Sequence, residues 1–290
     1  MAIRSGLIRI LAAFALVGAI GAAKADPGGR LPATGGVVNV EGSGGGGLST
    51  WALISGYGTD TEWGGAVSYT RLPLTDYQFE SAAVTLGLFD RVEFSLARQR
   101  FDLQDVVVGE VIEQDIVGLK WRLAGDAVFT PDSALPQLAL GLQYKRNRDF
   151  ERIPAALGGT EDSDTEPYLA ATKLYFGAVF GHNLLVNAGL RYSRANQFGL
   201  LGFGGPKDDS RSLLGELALG VFLTDQLVLG AEYRQRPDNL VYAEQAARDA
   251  FLAWVPNRYL AVTLARVELG HIAVTEADQS GTYLQVQLNY

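Results

Sequence analysis

The chain has 290 residues, a formal net charge of −8 and a pI near 4.9. This acidity argues against nucleic-acid binding, which requires a basic face. The absence of cysteine excludes disulfides and thiolate metal sites, and the 48% of residues that are hydrophobic are dispersed beyond the N-terminus instead of forming a second long apolar run.

The first 25 residues have the pattern of a secretory signal peptide. Arg4 and Arg9 supply positive charge, and an apolar stretch follows up to Ala23. The small residues Ala23 and Ala25 form a cleavage motif, so we expect cleavage between Ala25 and Asp26. A membrane anchor is the alternative, but the apolar stretch after Arg9 is short for the ~20 residues of a spanning helix.

Residues 26–47 are rich in glycine and proline. We interpret them as a flexible turn or linker. No Gly-Lys-Ser/Thr follows the glycine run, so it does not have the pattern of a phosphate-binding loop. Residues 37–41 within this segment are a candidate first strand.

From residue 48 onward, short strand candidates recur between turn signals. They are 48–57, 63–72, 77–88, 91–101, 115–124, 137–146, 168–178, 184–193, 213–222, 227–236, 248–255, 259–268 and 281–290. Many alternate between apolar and polar or small residues, and successive side chains of a strand point to opposite faces. The pattern is typical of a transmembrane barrel, whose apolar face meets lipid and whose other face lines the lumen.

The connections between these segments fall into two classes that largely alternate. Tight turns, such as 89–91 and 224–226, are followed by long polar loops, such as 147–167 and 194–212. Periplasmic turns and extracellular loops of a bacterial barrel alternate in this way.

We therefore predict an all-β fold, a transmembrane antiparallel up-and-down β-barrel over residues 48–290. Thirteen candidates is an odd number, whereas single-chain bacterial barrels normally have an even one. The predicted count is about 14 strands if 37–41 is the first, with 12 as the fallback. A soluble β-sandwich or lectin-like protein is the alternative fold.

The predicted lumen face carries charges of both signs: Glu93, Lys120, Arg122, Lys173, Arg191, Glu216, Glu232 and Arg234. Such charges either pair and plug a narrow lumen or line a wet pore and bias which solutes pass. Basic residues outnumber acidic ones, so an open pore would mildly favour anions. Small residues at other lumen positions, such as Gly118 and Ala218, leave room and favour a passage.

The last strand is the most regular of all. One face carries Leu284, Val286, Leu288 and Tyr290, and the other carries Gln285, Gln287 and Asn289. A terminal aromatic residue preceded by apolar residues at every second position resembles the assembly signal of outer-membrane barrels. We expect the barrel-assembly machinery to recognise it.

The sequence also resembles a family of uncharacterised proteobacterial outer-membrane β-barrel proteins. The resemblance covers nearly all of 37–290 and is carried by the runs 46–51, 87–95, 115–120, 123–126, 232–234, 236–240 and 269–272. It implies a barrel in the cell outer membrane. It implies no catalytic residues, because the function of that family is unknown.

Enzymatic chemistry has little support in the sequence. His271 is predicted to lie in an extracellular loop near Glu268, Asp278 and Ser280, which allows a surface-hydrolase hypothesis. No nucleophile motif such as Gly-x-Ser-x-Gly occurs. We predict no catalytic residues, no metal site and no cofactor.

The leading functional hypothesis is a channel or facilitator for a small solute. A non-transporting barrel that serves envelope structure or surface interaction is the alternative. Expected partners are outer-membrane lipid and lipopolysaccharide, whose phosphates Arg98 and Arg100 would meet on the lipid-facing side above the hydrocarbon.

Overall fold

The computed structural model describes residues 33–130, 133–275 and 277–290. Within them, twelve strands form one closed antiparallel barrel, in which each strand pairs with its neighbours in the chain and the last pairs with the first. The barrel strands are β3 (Trp63–Pro73), β4 (Gln78–Leu88), β5 (Val92–Asp102), β6 (Val111–Ala124), β7 (Gln137–Asn147), β8 (Ser163–Val179), β9 (His182–Ser193), β10 (Ser212–Thr224), β11 (Leu227–Arg234), β12 (Ala247–Asn257), β13 (Leu260–Gly270) and β14 (Gln279–Asn289). The signal peptide predicted for residues 1–25 and its cleavage site lie outside the described residues.

The wall of the barrel is apolar outside and polar inside. Leu252, Leu264 and Leu284 are neighbours on β12, β13 and β14, and each is 38–49% exposed. On the opposite face of the same strands, Thr263 and Gln285 are buried. Large apolar side chains exposed on strand after strand suit a hydrocarbon solvent. The predicted fold class, an up-and-down barrel, is confirmed.

The two ends of the barrel differ in their connections. At one end, called here the short-turn end, the strands are joined by turns at 89–91, 180–181, 225–226 and 258–259 and by the longer connection 125–136. The opposite, long-loop end has the loops 103–110, 148–162, 194–211, 235–246 and 271–278 and the tight turn 74–77. This end carries a short helix, α1 (Ile153–Ala156), and a 3₁₀ turn, Asn196–Gly199. In the described part of the chain, no helix is both long and apolar enough to cross a membrane.

The strand count is twelve, the lower of the two predicted values. Residues 37–41 and 48–57, which would raise it, do not enter the wall. Val37–Val38 forms β1 and pairs with β2 (Gly44–Gly45) in a separate two-stranded sheet. The wall begins at Trp63; just before it, Gly56 has a positive φ, and Gly56 and Gly58 both pass close to the backbone of Gly64.

β14 therefore closes the barrel on β3 and not on an earlier segment. Gly65 and Tyr290 exchange two backbone hydrogen bonds of 2.9 Å, and the rings of Trp63 and Tyr290 lie 4.9 Å apart. This seam is paired at six positions, whereas β3 and β4 are paired at eleven.

Residues 33–58 fill the lumen and are called here the plug. From 36 to 58 nearly every residue is buried, although the segment contains little regular structure. The plug enters and leaves at the short-turn end, where the backbone N–H of Ala33 donates to the hydroxyl of Tyr57 at 3.3 Å. Between these points it reaches the middle of the barrel, where Gly42 approaches Ala83 and Ala97.

Candidate functional site

The plug is held by polar side chains that project inward from strands around the barrel. Gln287 on β14 accepts a hydrogen bond from the backbone N–H of Val38 at 2.7 Å. Ser81 on β4 and Gln99 on β5 both donate to the carbonyl oxygen of Val40 at 2.8 Å. Thr172 on β8 accepts from the N–H of Ala52 at 2.8 Å. A segment with little secondary structure of its own thus has its backbone groups satisfied by the wall.

Five inward side chains on five successive strands, β7 to β11, alternate in charge. This charge belt consists of Lys145, Glu166, Arg191, Glu216 and Arg234, all at most 4% exposed. Successive members are 2.7, 3.2, 2.7 and 3.4 Å apart between nitrogen and oxygen. Each acid thus lies between two bases, an arrangement that offsets the desolvation of buried charges.

Glu41 of the plug meets all three bases of the charge belt. Nη2 of Arg234 donates to Oε1 of Glu41 at 2.9 Å, and Nη1 forms an ion pair with Oε2 at 2.9 Å without hydrogen-bond geometry. Lys145 forms an ion pair with the same carboxylate, and Arg191 lies 3.7 Å away. Burial alone would raise the pKa of Glu41, but Arg234, Lys145 and Arg191 together hold that pKa below its usual range. Glu41 is therefore a buried carboxylate that stays ionised.

A second ion pair holds the glycine-rich turn of the plug. Glu93 on β5 lies 3.1 Å from the ammonium of Lys120 on β6. Glu93 accepts from the N–H groups of Gly44 and Ser55 at 2.9 and 2.8 Å, and Lys120 donates to the carbonyl of Gly44 at 2.8 Å. This ion pair thereby contacts the plug both before the run 46–49, at Gly44, and after it, at Ser55.

Glu232 on β11 holds the tip of the run 46–49. Its carboxylate accepts from the N–H groups of Gly47, Leu48 and Ser49 at 2.6, 2.8 and 3.3 Å and from the hydroxyl of Ser49. Three successive N–H groups aimed at one carboxylate form an anion-binding nest in the backbone. The plug is thus fixed here by three main-chain N–H groups together with the hydroxyl of Ser49.

The long-loop end is closed by the loop 194–211, which folds into the barrel mouth. The ring of Phe198 lies under the guanidinium groups of Arg234 and Arg236, at 4.6 and 5.5 Å. Gln197 and Phe198 both have positive φ, which turns the chain inward. A cavity of about 30 Å³ remains between this loop and the plug, room for one or two waters. In the described residues the lumen is therefore filled from both ends.

The eight residues predicted for the lumen face fall into two groups. Six of them contact the plug: Glu93, Lys120, Arg191, Glu216, Glu232 and Arg234. The other two, Arg122 and Lys173, instead bind the connection 125–136 at the short-turn end. The structure thus brings together most of the predicted set, but around a segment of the chain and not around open space.

Sequence reasoning missed three members of this site: Glu41, Lys145 and Glu166. Lys145 shares its strand face with Gln143 and lies opposite Leu142 and Tyr144, so the alternation already indicated an inward position. Glu166 was assigned to a loop because β8 begins earlier than expected, at Ser163. Glu41 had no local signal, since its partners are more than 100 residues away in the chain.

His271 lies at the long-loop end, beside the predicted Asp278 and also beside Gln245. Its Nε2 is 3.4 Å from Asp278, and its Nδ1 is 3.2 Å from the amide nitrogen of Gln245. The hydroxyl of Ser280 accepts from Arg266. The pair of His271 and Asp278 is thus present, whereas Ser280 contacts Arg266.

Outward-facing arginines lie near the long-loop end, and several of them are paired with acids. Arg98 and Arg148 share Asp115 at 2.7 and 2.9 Å, and Arg248 lies 2.6 Å from Glu268. Arg100 lies 3.4 Å from Asp102. These side chains are largely exposed beyond the apolar band of the wall.

Residues 34–287 match the family described as protein of unknown function (DUF3034). The chain belongs to this family. The resemblance inferred from the sequence runs is confirmed, and the family leaves the function open. No curated protein matches the sequence.

The barrel is similar in overall fold to two solved porins and to a solved outer membrane protein. The KdgM porin in complex with disordered oligogalacturonate is 10% identical, with 78% of this chain and 99% of that one covered and a TM-score of 0.48. The NanC porin is 10% identical, with 77% and 98% covered and a TM-score of 0.49. The outer membrane protein Omp33 of Acinetobacter baumannii is 9% identical, with 80% and 100% covered and a TM-score of 0.48.

Proposed function

We propose that the protein is an outer-membrane barrel with its short-turn end in the periplasm and its long-loop end outside. Export would remove residues 1–25, with cleavage between Ala25 and Asp26. The barrel-assembly machinery would recognise the alternating last strand, and the exposed arginines of the long-loop end would meet lipopolysaccharide phosphates. The apolar outer wall and the two classes of connection support this orientation.

We further propose that the barrel is a gated channel for a small solute and that the plug closes it at rest. The observation that carries this proposal is the polar character of the inner wall. The inner wall carries buried hydroxyl and amide side chains, including Ser68, Thr70, Ser81, Thr85, Ser95, Gln99, Gln143, Thr172, Asn187 and Gln285. Water can replace the plug as the partner of such groups, so the wall stays solvated when the plug moves.

A reversible cross-link tests whether the plug is the gate. Ala52 of the plug and Ala139 of β7 are fully buried in one cluster of packed alanines. Because the chain has no native cysteine, the variant A52C/A139C can form only this disulfide within one molecule. We expect conductance in planar bilayers under reducing conditions and none after oxidation, with A52C alone as the control that does not respond to oxidation.

The alternative is a non-transporting barrel, which is favoured by the dense ion pairing between plug and wall. If neither the reduced double variant nor the wild-type protein shows conductance over the accessible voltage range, the non-transporting alternative is established. Conductance that persists unchanged in the oxidised protein would refute the role of the plug as the gate.

A further inference from the structure

The charge belt is unbalanced without the plug. Its wall residues are three bases, Lys145, Arg191 and Arg234, and two acids, Glu166 and Glu216. Each acid already contacts two bases, and Glu41 supplies the third negative charge. When the plug withdraws, the charge belt is left with one excess positive charge that faces the lumen.

The vacated position also has a defined shape. Nη2 of Arg234 and the ammonium of Lys145 both donate to Oε1 of Glu41, and Nη1 of Arg234 lies 2.9 Å from Oε2. Of the contacts that position Arg234, those with the ring of Phe198, 4.6 Å from the guanidinium, and with Glu216 at 3.4 Å come from residues outside the plug. A guanidinium and an ammonium that converge on one carboxylate can receive the carboxylate of another molecule in the same position.

We propose that Lys145, Arg191 and Arg234 form a lumenal binding site for the carboxylate group of a small organic acid, and that Glu41 is its built-in occupant at rest. The proposal rests on the gated-channel function and names its solute class. An incoming carboxylate takes the place of Glu41 and thereby lowers the cost of moving the plug. Release of the solute lets Glu41 return to the site.

Chemical rescue of the variant E41A tests the site without requiring transport. The substitution removes a CH₂–COO⁻ group, and acetate has the same carboxylate with one carbon beside it. We expect acetate to raise the unfolding temperature of detergent-folded E41A by about 2–4 °C over chloride at equal ionic strength. Wild-type protein, whose site is occupied, should show no such rise, and E41A/R234M should lose it.

Equal stabilisation of E41A by acetate and chloride would overturn the proposal, as would a preference for inorganic phosphate over acetate. If E41A does not fold, labelling of the A52C variant, which retains Glu41, serves instead. Succinate should then accelerate modification of the introduced thiol by a water-soluble maleimide several-fold over chloride, and equal rates would refute the site.

The two proposals fail in different ways. Acetate rescue of E41A in a barrel that never conducts would leave the carboxylate site standing and remove the channel. If oxidation of the 52–139 pair closes the channel but acetate does not stabilise E41A, the channel proposal is supported and the carboxylate-site proposal is refuted.

Discussion

At the residue scale, the attachment of the plug to the wall depends on carboxylates that are buried together with several hydrogen-bond donors. Glu93 and Glu232 were both predicted to face the lumen, because strand alternation fixes the direction of a side chain. Their partners were not predictable, since the N–H groups of Gly44 and Gly47 come from a segment without periodicity. Alternation indicates on which face a side chain lies, but it contains no information about what fills the space beyond that face.

Glu244 should make the stability of the long-loop end depend on pH. Burial raises the pKa of this carboxyl to about 7, although Arg236 and the N–H of Gln197 oppose the shift. Between the two pKa values, the folded state holds a proton that the unfolded chain has released. The stabilisation that this proton gives to the folded state is complete below the unfolded pKa of about 4.3 and is lost as pH rises towards 7. We expect the unfolding temperature to fall between pH 5 and 7 and E244Q to reduce that fall; identical slopes for the two proteins would contradict the expectation.

At the scale of elements, the twelve wall strands were predictable and the plug was not. Residues 63–72 and 281–290 were both recognised as strands from their alternation, yet their pairing as the closing seam was missed. Residues 48–57 were assigned to the wall because they are short, apolar and bounded by glycines. A segment that is buried on all sides meets only one environment, so its sequence does not alternate between apolar and polar residues. It therefore resembles the sequence of a buried strand.

The glycines of the plug give a matched pair of substitutions. A methyl group at Gly46 would overlap the carboxylate of Glu232, whereas one at Gly47 has its nearest neighbour at 3.3 Å. G46A must displace either the plug or the carboxylate that accepts its N–H groups, so we expect a loss of about 1–3 kcal/mol in the free energy of unfolding. G47A should lose clearly less. Urea titration of both variants in lipid vesicles measures the difference, and equal losses would show that the plug is loosely packed at this point.

At the scale of the whole molecule, the barrel inverts the usual distribution of polarity. Leu264 lies in the middle of β13 and is 49% exposed, whereas Val274 is 52% exposed in a loop of the long-loop end. The two side chains thus have similar exposed fractions but meet different solvents, hydrocarbon for Leu264 and water for Val274. This distribution was fully predictable, because it follows from hydrophobic periodicity alone.

An arginine substitution at each of these two positions tests the assignment of solvents. L264R places a guanidinium within the apolar band, which costs about 2–4 kcal/mol at the midplane of a bilayer. V274R should change the free energy of unfolding by less than about 0.5 kcal/mol. Heat-modifiable migration on gels and urea unfolding from vesicles report both effects. Tolerance of L264R equal to that of V274R would refute the membrane-spanning orientation of β13.

The continuity of the plug with β3 has a mechanical consequence. The plug joins the wall through only residues 59–62, next to the seam at which β14 and β3 are paired at six positions, the shortest of the barrel ladders described. Tension applied to the plug from the short-turn end acts first on the contacts between plug and wall, such as the hydrogen bond from Val38 to Gln287. Once these contacts break, the pull passes through residues 59–62 to the first residue of β3, Trp63, beside the shortest of the barrel ladders.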